Sequence, residues 1–410
     1  MKFKVYFNCS CVWFMISRPV LRILTLSFLF LLAVTIAPAM ANWQMYEVGQ
    51  ISDPPENIPV TIAYDSGDVP HIVYYNPDTD LIRHAWRSGA SWITEDVGPS
   101  AGTKSLSLAF DPTGNPCISY GDGVHYGNLM FAQRNASGWS TSTVSRGNWG
   151  LLGNAGSYSS TAFDHRGIPH IAYSDGSTYA TLYYASLDMM NRSWDSVKVY
   201  GGEWPWRAVG LEPSLSFNNK DWPVISYLGE IGEVDQIMTN VGFDTVTVYY
   251  WQFMYSHSED GITWLTESPD YSASKVKVNA GIDLAVDTKG NPHFSYYGND
   301  RENNYVGYLM RYGDLWIRET IYSWSYGSRI ESLTTSITVD SHDIPHLSFI
   351  SKSGKLTYAT KSASGHAWSL DTVDNSIRVY HHAIALNRDN RPTIAYVNTD
   401  AKVMVAQWIG

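Results

Sequence analysis

Short runs of alternating apolar and polar residues cover most of this chain, and a period of two belongs to half-buried β-strands; helix patterns are absent. The runs recur in a fixed order. Residues 163–173 read FDHRGIPHIAY, and seven versions of this phrase occur along the chain: IAYDSGDVPHIVY at 62–74, LAFDPTGNPCISY at 108–120, TAFDHRGIPHIAY at 161–173, LSFNNKDWPVISY at 215–227, LAVDTKGNPHFSY at 284–296, ITVDSHDIPHLSF at 337–349 and IALNRDNRPTIAY at 384–396. Each reads as a hairpin. One strand ends at Asp or Asn, a turn follows, and Pro opens a second strand, the one strand position where a missing N–H is tolerated.

A third strand follows a variable loop, as in LMFAQR, LYYASL, YLMRYG or LTYATK. A short turn then leads to a Trp-led fourth strand, as in SWITEDV, GWSTSTV, SWDSVKV, LWIRETI and AWSLDTV. The prolines Pro70, Pro116, Pro169, Pro223, Pro292, Pro345 and Pro392 lie 46, 53, 54, 69, 53 and 47 residues apart, in or above the range of about 40–50 residues for a four-stranded propeller blade. The seventh repeat stops at VMVAQWIG, its third strand, whereas NWQMYEV at 42–48 has the form of a fourth strand. The pattern predicts an all-β, seven-bladed propeller in which the N-terminal strand completes the last blade and so protects its edges.

His follows the proline in four repeats, as His71, His170, His293 and His346. Equivalent positions in a ring fall in separate blades and do not converge on one ion, so these histidines are expected to be neutral scaffold groups bonding between blades, with no metal site among them. The repeated Trp92, Trp139, Trp194, Trp264, Trp316 and Trp368 are likewise expected to anchor outer strands.

Composition adds a compartment. Lys2, Lys4, Arg18 and Arg22 precede an apolar run from Ile23 to Ile36, and Ala39-x-Ala41 follows. This describes a secretory signal over residues 1–41, with cleavage before Asn42, a secreted or periplasmic destination and no integral membrane segment afterwards. Residues 42–410 form one domain in this reading. They keep 24 basic residues against 39 acidic ones, a formal charge of −15, which excludes a nucleic-acid partner held through phosphates. Cys9 and Cys11 leave with the signal, so Cys117 has no partner for an internal disulfide.

The turn HSEDGITW at 257–264 resembles the Asp box of sialidase-type propellers, Ser-x-Asp-x-Gly-x-Thr-Trp. Gly261, Thr263 and Trp264 match, while His257 stands for the Ser and Glu259 for the Asp. NASGW and SASGHAW are shorter echoes. The resemblance to exported bacterial propellers of the sialidase-like superfamily covers all seven repeats and implies common ancestry. The box is a folding element in that family, and the sialidase Arg-Ile-Pro element is absent here, so no catalytic residue carries over. Seven-bladed polysaccharide lyases, including ulvan-cleaving ones, use His, Tyr and Arg around the axial funnel, but no stretch of this chain fixes those roles.

Loops joining second to third strands, and fourth strands to the next blade, vary most and share one face, where a site is expected. The fourth blade carries the longest insertion there, LGEIGEVDQIMTNVGFDTV at 228–246. These loops hold Trp149, Trp204, Trp206, Trp324 and Tyr326 with Arg207, Arg301 and Arg329, a mixture suited to stacking on sugar faces and bonding hydroxyls. Their acids include Glu203, Glu230, Glu302 and Glu331. His125, His381, His382, Glu230 and Glu331 are the acid–base candidates. CxxC, HExxH, P-loop and GxSxG motifs are absent, and no cofactor is expected. The reading is a propeller that recognises, with or without cleaving, a carbohydrate or cell-surface glycan. Its alternative is a noncatalytic propeller that mediates protein or cell-surface contacts. Oligomeric state is left open.

Overall fold

The computed structural model describes residues 42–52, 58–123, 127–147, 158–175, 180–201, 206–239, 242–269, 277–300, 302–325, 333–362, 367–375 and 378–410, with the backbone alone at 206–207, 233–239, 242–250 and 277–280. Its strands sort into seven four-stranded antiparallel sheets, the seven blades of a propeller. From the axis outward, blade 1 runs Val60–Tyr64, Pro70–Asn76, Leu81–Ser88 and Ser91–Pro99, and blade 2 runs Leu106–Phe110, Pro116–Gly121, Leu129–Asn135 and Gly138–Ser145. Blade 3 is Ser159–Phe163, Pro169–Ser174, Thr181–Asp188 and Ser193–Gly201; blade 4 is Trp206–Phe217, Pro223–Thr239, Gly242–Ser258 and Trp264–Glu267. Blade 5 is Lys277–Val286, Pro292–Asn299, Asn303–Tyr312 and Leu315–Ser325; blade 6 is Thr335–Val339, Pro345–Ile350, Leu356–Lys361 and Trp368–Asp374. Blade 7 takes Val379–Leu386, Pro392–Asn398 and Lys402–Trp408, and its fourth strand is Trp43–Gln50, paired from Trp43 opposite Trp408 to Gln50 opposite Lys402. The ring closes as the repeat pattern predicts.

The repeated aspartate makes the hairpin turn. Oδ1 of Asp65, Asp164, Asp287 or Asp340, and of Asn218 or Asn387, accepts the backbone N–H groups two and four residues on. Asp111 does the same for Thr113 and Asn115. The third residue after it has φ between 61° and 86° in all seven turns, as Asp68, Gly114, Gly167, Asp221, Gly290, Asp343 and Asn390. Only Gly, Asn and Asp occupy it, because they enter the left-handed region at least cost. Where the residue is not Gly, its side chain ties two blades together. Backbone N–H groups of His165, Thr288, Ser341 and Arg388 donate to Asp221, Asp343, Asn390 and Asp68 of the next blade. The last of these bonds crosses the seam between blades 7 and 1.

The repeated histidine and tryptophan belong to one relay. Tyr184, Tyr308 and Tyr358 on third strands donate to Nδ1 of His170, His293 and His346 in their own blades at 2.7, 2.7 and 2.5 Å. That leaves Nε2–H facing the turn carboxylates of Asp164, Asp287 and Asp340 at 3.4–3.7 Å. In blade 1, His84 replaces the tyrosine at 2.8 Å from His71 and passes the chain on to Glu95. The expected bonds between blades are therefore bonds within a blade, because the second and third strands of one sheet bring these columns side by side. Burial lowers the pKa of all four histidines, which fits neutral rings.

The contact between blades is made by tryptophan. Trp139, Trp194, Trp264, Trp316, Trp368 and Trp43 each stand edge-on to the third-strand ring of the preceding blade, namely His84, Phe131, Tyr184, Tyr255, Tyr308 and Tyr358. Centroids are 5.0–5.6 Å apart and planes cross at 64–81°, the favourable edge-to-face arrangement. Four of the indole N–H groups, from Trp139, Trp194, Trp368 and Trp43, donate to Glu95, Ser142, Glu319 and Asp371 on the preceding fourth strand.

The 228–246 insertion is not a loop. It lengthens two strands into a ladder that stays in register from Val224 opposite His257 to Thr239 opposite Gly242. The second of these strands carries Phe243, Val246, Val248, Tyr249 and Tyr250, β-branched and aromatic residues that favour strand.

Replacing Trp43 with Ala should destabilise the ring by roughly 3–5 kcal/mol, since it removes a buried aromatic at the closing seam. Tyr308→Phe keeps its packing but leaves His293 Nδ1 unbonded, and should cost only about 1–3 kcal/mol. Equilibrium unfolding in denaturant measures both; equal losses would contradict the separate roles of packing and relay.

Candidate functional site

Around the axis the first strands of all seven blades enclose a cavity of about 570 Å³. Its wall is built in tiers of equivalent positions. The lower tier is Thr61, Ser107, Ser160, Ser214, Asp283, Ser336 and Ala383. It forms a belt in which a side-chain oxygen of one blade accepts a backbone N–H of the next. Ser107 takes Thr161, Ser160 takes Leu215, Ser214 takes Leu284, Asp283 takes Ile337 and Ser336 takes Ile384, at 2.9–3.3 Å. Asp283 also accepts the hydroxyls of Ser214 and Ser336. Burial raises its pKa in spite of these bonds.

The middle tier points outward to the preceding blade's second strand. Ser159 bonds Ser119, Thr335 bonds Ser295, and His382 bonds Ser348, all at 2.8–2.9 Å. His382 is buried, and its Nε2–H donates to the Thr334 carbonyl at 2.9 Å. Both ring nitrogens are thus engaged, and burial depresses its pKa to about 4. His382 does in blade 7 what Ser159 and Thr335 do in blades 3 and 6.

The upper tier is the chemically varied one: Ser105, Tyr158, Glu212, Gly281, Thr334 and His381, with Lys104 beside Ser105. Glu212 sits at an irregularity of the ladder between Leu211 and Ser214, with φ of 50°. A left-handed glutamate before a proline is uncommon, and bulges of this kind re-aim side chains beside sites. Its Oε2 accepts the Gly281 N–H at 2.6 Å. Gly281, with φ of 67°, comes so close to the Leu333 carbonyl that a Cβ would lie 2.4 Å from it. Burial deep in the ring raises the Glu212 pKa. Tyr158 is raised too, first by burial and then by the charge of Glu212. Strain, a perturbed carboxyl and a concave wall coincide at Glu212.

Of the expected site residues, the structure brings His381 and His382 to this cavity. Glu230 is partly buried in the blade 4 ladder, opposite Ala208 and Trp251. Trp324 is 7% exposed, packed edge-on to Tyr297, and presents no open ring face. Trp206 and Arg207 open the first strand of blade 4. His125, Trp149, Trp204, Arg301, Tyr326, Arg329 and Glu331 lie outside the described residues, as do Glu203 and the 1–41 segment. Sequence reasoning missed Lys104, Tyr158, Glu212 and Asp283. Extending the aligned repeats one residue toward the N-terminus would have exposed Asp283 in a column of Ser and Thr, and three residues would have reached Glu212.

The Asp-box resemblance shifts by one residue. Ser258 Oγ accepts the N–H groups of Asp260 and Gly261, and Asp260 Oδ1 accepts those of Ile262 and Thr263. Ser258 and Asp260 hold the turn, because it is one residue shorter than the motif; His257 stacks on Tyr255 instead. A second cleft of about 630 Å³ lies between blades 3 and 4. Its buried polar groups, Asp164, His170 and Tyr184, are members of the structural relay.

No protein-family model matches this chain, and no curated protein matches it. Solved structures do. A PL25 ulvan lyase with -[GlcA(1-4)Rha3S]- bound superposes with a TM-score of 0.59 at 13% identity, covering 89% of this chain and 96% of that one. Polysaccharide lyase Uly1 gives 0.57 at 11% identity, over 92% and 94%. A variant of the α-L-arabinofuranosidase Arb93A from Fusarium graminearum gives 0.51 at 10% identity, over 89% and 98%. At these identities the likeness is one of fold: the chain is a propeller of the architecture found in carbohydrate-active enzymes.

His382 has a measurable pH signature. Above its ordinary pKa of 6.5 the native and unfolded forms are both neutral. As pH falls below that value the unfolded chain binds a proton that the native ring refuses until about 4. Stability is therefore full above pH 6.5, declines toward pH 4 and levels off below. His382→Gln should flatten part of the slope of melting temperature against pH in that window; an unchanged slope would contradict the buried neutral ring.

Proposed function

We propose that this chain is an exported propeller that recognises a carbohydrate in its axial cavity. The observation that carries this reading is the composition of the upper tier. Hydroxyls of Ser105, Tyr158 and Thr334, the Lys104 ammonium, the His381 ring and the Glu212 carboxyl all line one concave wall. Closely spaced donors and acceptors on a rigid scaffold suit a ligand rich in hydroxyls. Solved structures of the same architecture include enzymes named for cleaving polysaccharides, which supports the class of ligand. Trp149, Trp204, Trp206, Arg207, Arg301, Tyr326 and Arg329 are the proposed outer contacts, on the face where the connecting loops vary. Glu212 is the proposed acid. A carboxyl held above the usual range keeps its proton nearer to neutral pH, where it can be given to a leaving oxygen.

The test is a glycan array with the chain from Asn42 onward, followed by depolymerisation assays read as new reducing ends or as absorbance of an unsaturated product. Glu212→Gln keeps an oxygen for the Gly281 N–H, so the variant should fold. It should bind the array's ligand about tenfold more weakly, ~1.4 kcal/mol. Product formation lost in Glu212→Gln would add catalysis to recognition. Silence of the wild-type chain on every glycan would overturn the reading in favour of a protein-binding propeller.

A further inference from the structure

Three seams of the ring carry the same ion pair. Arg134 meets Glu95 at 2.7 Å, Arg311 meets Glu267 at 2.7 Å and Lys361 meets Glu319 at 2.6 Å, each reaching the preceding blade. The cation is the third-strand residue opposite the repeated tryptophan, and the acid is the fourth-strand residue opposite the third-strand ring. Arg311 and Lys361 also stand over that ring and their own blade's tryptophan, 4.9–5.6 Å from the centroids. The seam between blades 3 and 4 keeps the rings, Tyr184 and Trp264 at 5.0 Å, but has Val197 in the acid's place and Ser258 in the cation's. These short side chains leave open what Glu and Arg or Lys fill elsewhere, and Val197 lines the cleft of about 630 Å³. That cleft lies at the end of the ring away from Glu212, because the turns that follow the first strands, at 164–166 and 220–222, form part of its wall.

Polar groups are left over at this seam. The Trp264 indole N–H is buried with no hydrogen-bond partner among the described residues, whereas Trp139 and Trp368 donate theirs to Glu95 and Glu319. His170, its side chain 8% exposed, lines the cleft with Nε2 likewise unbonded. Five carboxylates line the cleft against two cations, Arg166 and Lys220. Asp164 holds Arg166, Asp221 holds His165, and Asp260 holds its own turn, while Lys220 lies over the Trp222 ring. Asp195 and Glu259 remain, both exposed, one on each wall. Asp195 shares a strand face with Val197 and sits about 6.5 Å nearer the turn, in a column otherwise held by Ile93, Ser140, Leu265, Ile317, Ser369 and Gln44. Asp188 and Arg192 in the adjoining turn add one charge of each sign, and Lys198 alternates to the face toward blade 2. Met190 in that turn is 93% exposed and Ile262 on the other wall 69%, so both lips carry apolar side chains.

We propose that the cleft between blades 3 and 4 is a docking site for a protein segment that presents an arginine or lysine side chain between apolar residues. The ring itself shows the chemistry, since three other seams hold the chain's own cationic side chain in the corresponding space. The guest's cation is met by Asp195 and Glu259, and its apolar neighbours by Met190 and Ile262. Its backbone carbonyls are acceptors of the kind that Trp264 and His170 lack, which a simple amine does not bring. This site is separate from the axial cavity and does not depend on it.

The experiment titrates the full chain from Asn42 with end-blocked Leu-Arg-Leu and with the same peptide carrying citrulline, the uncharged isostere, at low and at high salt. The arginine peptide should bind at least about tenfold more tightly at low salt, with the gap closing as salt rises. Agmatine, which has the cation without the carbonyls, should bind more weakly than the arginine peptide. Asp195→Asn combined with Glu259→Gln should weaken the arginine peptide about tenfold. Ser186→Arg sets a tethered guanidinium beside Asp195, in a column that accepts Trp86, Gln133 and Met310 in other blades. It should abolish binding at an unchanged melting temperature. Equal binding of the two peptides, no binding of either at millimolar concentration, or undiminished binding by Ser186→Arg would each overturn the proposal. Agmatine bound as tightly as the arginine peptide would overturn it in favour of a site for small organic cations.

Discussion

One contact recurs at almost every seam of this ring: an indole from the fourth strand of a blade, edge-on against an aromatic ring from the third strand of the blade before. An isolated four-stranded sheet has two faces to bury and cannot bury either alone. The indole fills the outer part of the gap between blades. Where the column changes, the packing changes with it. Blade 7 offers Val405 in place of a ring, and Trp92 packs against the buried cluster to which Val405 belongs. The seam made by Trp43 matters most, because it joins the first described strand to a neighbour more than three hundred residues away and so turns an open array into a closed one.

Around that contact the polar groups are ordered by what the aromatic columns leave over. A buried tyrosine hydroxyl needs a partner, and the second-strand histidine supplies it; the histidine's other nitrogen then needs the turn carboxylate. The chain Trp368, Tyr308, His293, Asp287 is therefore one solution to two problems, packing across a seam and satisfying polar atoms within a blade. Blade 2 shows the complementary choice. With Phe131 in the tyrosine column no hydroxyl is buried, and the histidine column holds Cys117, a small apolar occupant. In these blades each column is the other's hydrogen-bonding environment; blade 4 departs from the rule, with Tyr255 beside Val224.

This explains how far the sequence could be read. The proline, the turn aspartate, the left-handed third turn residue and the tryptophan each answer a local demand that repeats seven times, so a single chain displays its own alignment. Blade number, strand order and closure were legible for that reason. The pairing of His170 with Tyr184 was not, since period-two alternation fixes a face but not which column stands beside which. The blade 4 insertion hid its nature because a strand that outgrows its sheet looks, in sequence, like any long connection. Sequence marks His381 and His382, with His125, as histidines outside the repeat. Only the tiers separate them, one histidine bonded to the preceding blade's second strand as Ser159 and Thr335 are, and one on the varied rim.

The same reasoning says why Glu212 escaped notice and why it matters. In the lower tier, five blades show an oxygen accepting a backbone N–H across the seam, a demand that four serines meet and that Asp283 meets with additional bonds. Two residues earlier the same demand is met in two blades, where Ser105 accepts the Ser159 N–H and Glu212 accepts the Gly281 N–H, and the column is otherwise mixed. Side chains at that level are free to differ, and they do: Ser105, Tyr158, Glu212, Gly281, Thr334 and His381. Chemistry accumulates where the repeat releases its grip. A carboxyl buried there at the cost of a left-handed backbone gains nothing for the ring that a serine would not give. The axial ligand proposed above would give that carboxyl its purpose.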